Sequence, residues 1–128
     1  MDSRTIYYLD IDNEDLYFFK HVIEALGHRI SIYKDGYKMM QDLKQSETKP
    51  DILFLGTHMP ILNGKELIVI LKNSENLKAI PIVIVSGALP KKLLRHYQDA
   101  GVKHIMKKTK GTDYKAAFKE VLEMKFVL

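Results

Sequence analysis

A chain of 128 residues, 46% hydrophobic and 28% charged, suits one compact domain with its own core and excludes a disordered or fibrous protein. It has no cysteine, which excludes disulfide staples and thiolate metal sites, and no apolar run near the roughly 20 residues that span a bilayer. Its net charge of +4 comes without aromatic interleaving, helix-turn-helix pattern or zinc spacing, so it argues for a basic docking face and against nucleic-acid binding.

The polar start Met1-Asp-Ser-Arg-Thr5 carries no apolar leader, and a cytoplasmic protein is expected. Ile6–Leu9 then reads as a first strand. Asn13 or Asp12 caps a helix through about Leu26, with Leu16, Phe19, Ile23 and Leu26 as its inward stripe and Gly27 as its stop. Arg29–Tyr33 is a second strand. Asp35-Gly36 turns the chain into a helix from Tyr37 to about Gln45, whose apolar residues are Met39, Met40 and Leu43. Ile52–Leu55 shows no polar alternation, as expected of a central parallel strand covered on both faces.

A third helix runs from Gly64 to about Asn73. Pro81 opens the β-branched strand Ile82–Val85. Pro90 suits the first turn of a helix that reaches about Ala100 and stops at Gly101. His104–Lys107 is the fifth strand, and Asp113 caps a last helix from Tyr114 to about Lys125, with Ala117, Val121 and Leu122 or Met124 inward. The apolar end Phe126-Val127-Leu128 is expected to finish its packing. Five strands alternating strictly with five helices predict an α/β doubly wound sheet with right-handed crossovers.

Chemistry in such a sheet gathers at the carboxyl ends of the central strands. Asp10 to Asp12, Gly56, Ser86 and Lys108 fall at the ends of the first, third, fourth and fifth strands. Carboxylates there suit Mg²⁺, and a hydroxyl and a lysine suit phosphate oxygens. Any one of these residues alone reads as a loop residue in water; four in order make a pocket the better reading. His21, His28, His58, His96 and His104 have no metal-ligand spacing and are expected at the surface or half-buried. The methionines are expected to fill gaps in the core.

The stretch Asp51-Ile-Leu-Phe-Leu-Gly56-Thr-His-Met-Pro60-Ile-Leu-Asn-Gly64 resembles the phosphoacceptor segment of the response-regulator receiver domains of two-component signalling. The resemblance extends through the apolar strand into Asp10, through Pro81 to Ser86-Gly87, and through Gly101 to Lys108. It implies a flavodoxin-like five-stranded parallel sheet of order 2-1-3-4-5. It also implies a hydroxyl at Ser86 that contacts the phosphoryl group, a small residue at Gly87 and an essential lysine at Lys108. Departures cluster at the same site. The acceptor aspartate is replaced by Gly56, which offers no nucleophile, and the second of two adjacent acids is replaced by Ile11. Asp12 lies one residue further on, where the Asp-Ile-Asp spacing sends neighbouring side chains in alternate directions. The aromatic switch position is Ile105, and the proline after the lysine is Thr109.

The expectation is a stand-alone, degenerate receiver that is no enzyme, holds no cofactor, binds Mg²⁺ weakly or not at all, and acts by protein contact. Thr57 and His58 supply no rescue, because no general base stands near them. Lys108, without its usual carboxylate partner, is expected to meet Asp10, an anion or water. The resemblance places the interaction face on the fourth helix, fifth strand and fifth helix, with Lys91, Lys92, Arg95, Tyr97, Lys103, Lys107 and the segment from Tyr114. Expected partners are a histidine kinase, a phosphotransfer protein or an effector, or a second copy as a homodimer; no membrane or nucleic-acid partner is expected.

A competing reading takes Tyr8-Leu9-Asp10-Ile-Asp12-Asn13 as similar to the Asp-x-Asp motif of haloacid-dehalogenase-like phosphatases. Asp10 would be the nucleophile, Asp12 the general acid/base, and Ser86 and Lys108 the later motif residues. The Gly-Thr that follows that motif is absent here, no acidic pair follows Lys108, and no cap is inserted.

Overall fold

Unbroken, largely apolar runs form the three central strands of a parallel sheet, buried on both sides, while the two edge strands are mixed in sequence and only partly buried. The computed structural model describes residues 3–56, 64–87, 91–107 and 114–123. Within them lie β1 (Thr5–Leu9), α1 (Asn13–Ala25), β2 (Arg29–Tyr33), α2 (Gly36–Gln45), β3 (Ile52–Gly56), α3 (Gly64–Lys72), β4 (Ile82–Ser86), α4 (Lys91–Asp99), β5 (His104–Lys107) and α5 (Tyr114–Glu123). The strands pair in parallel in the order β2-β1-β3-β4-β5, the order the resemblance implied. β3 and β4 each run one residue past their expected ends. Gly56 and Ser86 are therefore ladder residues, paired with Val85 and Lys107.

Local chemistry explains the element ends. Asp12 is the cap of α1, its carboxylate accepting from the Asp15 N–H at 3.1 Å, and Asp35 caps α2 by accepting from Tyr37 at 2.9 Å. That second cap starts α2 at Gly36, one residue before the expected position. Gly27 and Gly101 follow α1 and α4 with φ of 90° and 94°, a left-handed turn that glycine makes without steric cost. Helices α1, α3 and α4 close one residue earlier than expected. Met124, Lys125 and the end of the chain lie outside the described residues, as do Pro90 and the Asp113 cap.

Side chains on successive strand positions feed two separate cores. On one face, Ile6, Tyr8, Phe54, Val83 and Val85 pack under α1 and α5. On the other, Tyr7, Leu9, Leu53, Leu55 and Ile84 pack under α2, α3 and α4. The expected α1 stripe is buried at Leu16, Phe19 and Ile23 and half-buried at Leu26, and Val22 joins it. Phe118 of α5, absent from the expected core, is its aromatic centre. Its ring meets Phe19 at 4.3 Å and Phe54 at 5.4 Å between centroids, both edge-on.

Two expectations about the surface are corrected. Tyr97 is only 2% exposed: helical spacing sets it with Leu93 and Ala100 on the inward side of α4, so it is not part of the exposed face. His28 is buried rather than superficial, and its Nδ1 accepts the Arg4 backbone N–H at 3.0 Å. Among the described residues no helix is long and apolar enough to cross a membrane.

Phe118→Ala should lower unfolding free energy by about 3–5 kcal/mol in urea denaturation, the usual range for emptying a buried phenylalanine site. Burial, aided by the charge of Arg4, holds His28 below its ordinary value of 6.5. The unfolded chain therefore takes up a proton that the folded one refuses. The stability this histidine contributes is present above that value and is lost as pH falls below it. A His28→Gln variant should show a shallower loss of stability over the same acid range.

Candidate functional site

β1 and β3 are neighbours in register, Leu9 opposite Leu55, so the next residue on each strand, Asp10 and Gly56, stand side by side at the carboxyl edge. Ser86 ends β4 beside them and is 1% exposed. Asp10 is 3% exposed, and its backbone N–H still donates to Tyr33 O at 3.1 Å, which holds the strand end in the sheet.

The Asp10 side chain lies on the same face as Tyr8, two positions before it. Its Oδ2 accepts from the Tyr8 hydroxyl at 2.6 Å and its Oδ1 from the Ile11 N–H at 2.8 Å. The Tyr8 ring is buried, stacked on Phe19 at 4.9 Å and met edge-on by Phe54 at 6.4 Å. Burial first, and then the neighbouring Asp10 charge, push the Tyr8 hydroxyl far above the ordinary tyrosine range. The hydroxyl is thereby kept protonated at neutral pH and donates to Asp10.

Gly56 is glycine for reasons of space. A Cβ at this position would lie 2.6 Å from Asp10 Cγ and 2.7 and 2.8 Å from its two oxygens. The Asp10 carboxylate thus fills the volume into which any side chain at 56 would have to grow. Asp12, by contrast, is exposed and occupied in capping α1, and Ile11 turns outward at 45% exposure. The structure therefore sets Asp10 and Gly56 against each other, places Ser86 one residue beyond the partner of Gly56 on β4, and turns Asp12 away to its helix. Lys108, Thr109, Thr57, His58, Met59–Pro60 and Asn63 lie outside the described residues.

Ile105 is half-buried, paired with Ile84 and packed on the α2–α3–α4 side. Lys91, Lys92, Arg95, Lys103 and Lys107 are exposed. Between α4 and β5 a groove of about 320 Å³ runs past Leu94, Gln98 and Val102, with Lys103 and Lys107 along it. The residue that sequence reasoning missed is Tyr8. Its signal was present: a phenol two positions before the only acid of the strand end, hence on the same face.

Five parallel strands in this order, alternating with five helices, define the flavodoxin-like class of α/β proteins. Within that class the chain belongs to the response regulator receiver domain family, whose family model matches residues 11–118. It is 30% identical over 77 residues to the polar-differentiation response regulator DivK of Brucella anthropi, an alignment covering 59% of this chain and 61% of that protein. Among solved structures it resembles chemotaxis protein CheY4 of Vibrio cholerae, with a TM-score of 0.82 at 13% identity over 95% of this chain and 98% of that one. It likewise resembles the Mn²⁺-bound form of response regulator Rcp1, with a TM-score of 0.80 at 21% identity over 98% and 99% of the two chains. These two likenesses speak to the fold.

The residues described here do not fit a Mg²⁺ site. Mg²⁺ demands a near-octahedral set of oxygens. Asp10 has both oxygens engaged by internal donors, Asp12 is turned to its helix, and Gly56 contributes no side-chain oxygen. Among the described residues no group of three acidic or histidine side chains converges. Calorimetric titration with Mn²⁺ or Mg²⁺ should give no saturable signal at millimolar metal; a stoichiometric isotherm at micromolar metal would contradict this.

Proposed function

We propose that this receiver domain of two-component signalling works by protein–protein contact and forms no aspartyl phosphate at the tip of β3. The single observation that carries the reading is the Gly56–Asp10 contact: the acceptor position has no carboxylate, and the space of one is already filled. Acyl phosphate formation needs a carboxylate oxygen free to attack phosphorus. Asp10 itself is a poor substitute, being buried with hydrogen bonds on both oxygens.

On this reading the protein is not an enzyme. Its output passes through the exposed cations of α4 and β5 to a partner of opposite charge, steering association more than setting its strength. A histidine kinase, a phosphotransfer protein or an effector with an acidic surface would fit this reading; a second copy of the chain is the other candidate partner. A domain that docks these proteins without accepting phosphate acts as a scaffold or a competitor, and a cytoplasmic setting suits it.

The phosphatase alternative has less support. Its nucleophile would be the buried Asp10 and its general acid/base Asp12, which serves as a helix cap pointing elsewhere. One experiment addresses both readings. After incubation with acetyl phosphate or a phosphorylated histidine kinase, the intact mass should show no phosphoryl adduct, and a generic phosphate ester with Mg²⁺ should not turn over. A stoichiometric adduct would overturn the proposal. Turnover that disappears in an Asp10→Asn variant would favour the phosphatase.

A further inference from the structure

We propose that Tyr8 is a positioning residue: its hydroxyl holds the Asp10 carboxylate in the place of the missing residue-56 side chain, so the pocket is closed from within by the acid of its own first strand. The proposal rests on reading Gly56 as the former acceptor position. It adds what occupies the vacated space and what keeps it there.

The carboxylate lies where a residue-56 side chain would begin, with Cγ and both oxygens within 2.8 Å of the position of a Cβ. A Cβ does not come that close to a non-bonded heavy atom, so a side chain at 56 and the present Asp10 conformer exclude each other. The atoms in the way are the far end of a short side chain. Displacing them requires rotation of Asp10 and no movement of the backbone.

What resists that rotation is the clasp. Asp10 would give up the Tyr8 hydroxyl at 2.6 Å and the Ile11 N–H at 2.8 Å. The hydroxyl cannot follow, because the Tyr8 ring is fixed between Phe19 and Phe54, with Phe118 packed against both of those rings. Nor can water take over easily, since Tyr8 is 1% exposed. A buried donor stripped of its acceptor carries the full desolvation penalty. The acid is therefore held against Gly56 by a residue that touches neither phosphate nor metal.

It follows that an aspartate placed at 56 does not restore a metal-binding pocket by itself; the Tyr8 hydroxyl must go as well. The test uses the full chain as Gly56→Asp, Tyr8→Phe and the double variant, with Mn²⁺ affinity read by calorimetry. Gly56→Asp alone should bind Mn²⁺ weakly. The double variant should bind about tenfold more tightly, the size expected for releasing a hydrogen bond to a charged group. Equal affinities in the two would overturn the proposal.

A milder cycle keeps it refutable should Gly56→Asp not fold. Gly56→Ala should lower the thermal midpoint by about 4 °C, within the shift that loss of one such bond gives a domain of this size. In the Tyr8→Phe background the same substitution should lower it by less than half as much. Additive losses would overturn the proposal, whatever the metal does. Neither cycle involves phosphoryl transfer, so a phosphoryl adduct on the unmodified chain would sink the functional reading and leave the clasp to be judged by these measurements.

Discussion

Parallel pairing of β1 with β3 is the constraint on which the site depends. Neighbouring strands run about 4.8 Å apart, and their side chains point the same way at paired positions. With Tyr8 opposite Phe54, the residues two further on, Asp10 and Gly56, face the α1–α5 side together. At a strand end no further row of side chains keeps them separate, so they compete for one volume. Where both carry a side chain, each must splay outward; where one is glycine, the other can fold across. Asp10 has done so, and two donors from its own strand end receive it.

The outcome is a pocket that satisfies itself. A cluster of carboxylates is self-repelling and calls for a cation to hold it together. Here Asp10 stands beside Ile11 and Gly56, and its carboxylate accepts from a phenol and a backbone amide. Among the described residues no buried side-chain nitrogen or oxygen lacks a partner. The aromatic packing of Phe19, Phe54 and Phe118 belongs to the same solution, because it fixes the ring that carries the phenol.

Much of this was legible from residues alone, and the parts that were not share a cause. The uniformly apolar runs Ile52–Leu55 and Ile82–Val85 announced central strands. The same uniformity hid the facing of each residue. In a strand buried on both sides there is no polar alternation to tell in from out. Which face Tyr8 and Asp10 share with Gly56 emerged only from the β1–β3 register. Tyr97 misled for a different reason: set among Lys, Arg and His, it looked like surface, yet its ring lies on the inward line of α4. Phe118 was overlooked because Ala117, Val121 and Leu122 already supplied a plausible buried side for α5. Asp12 was read as either a cap or a pocket acid, and the cap geometry decided between them.

The closed pocket also bears on the history of the site. Glycine and aspartate codons can differ by a single base, so the acceptor is easily regained at the level of the gene. At the level of the protein it would return to space that is no longer vacant. On the proposed reading, a chain with the phenol beneath its first-strand acid would have to undo that packing before a carboxylate at 56 is of use. A vacated acceptor would then be a ratchet, simple to enter and awkward to leave.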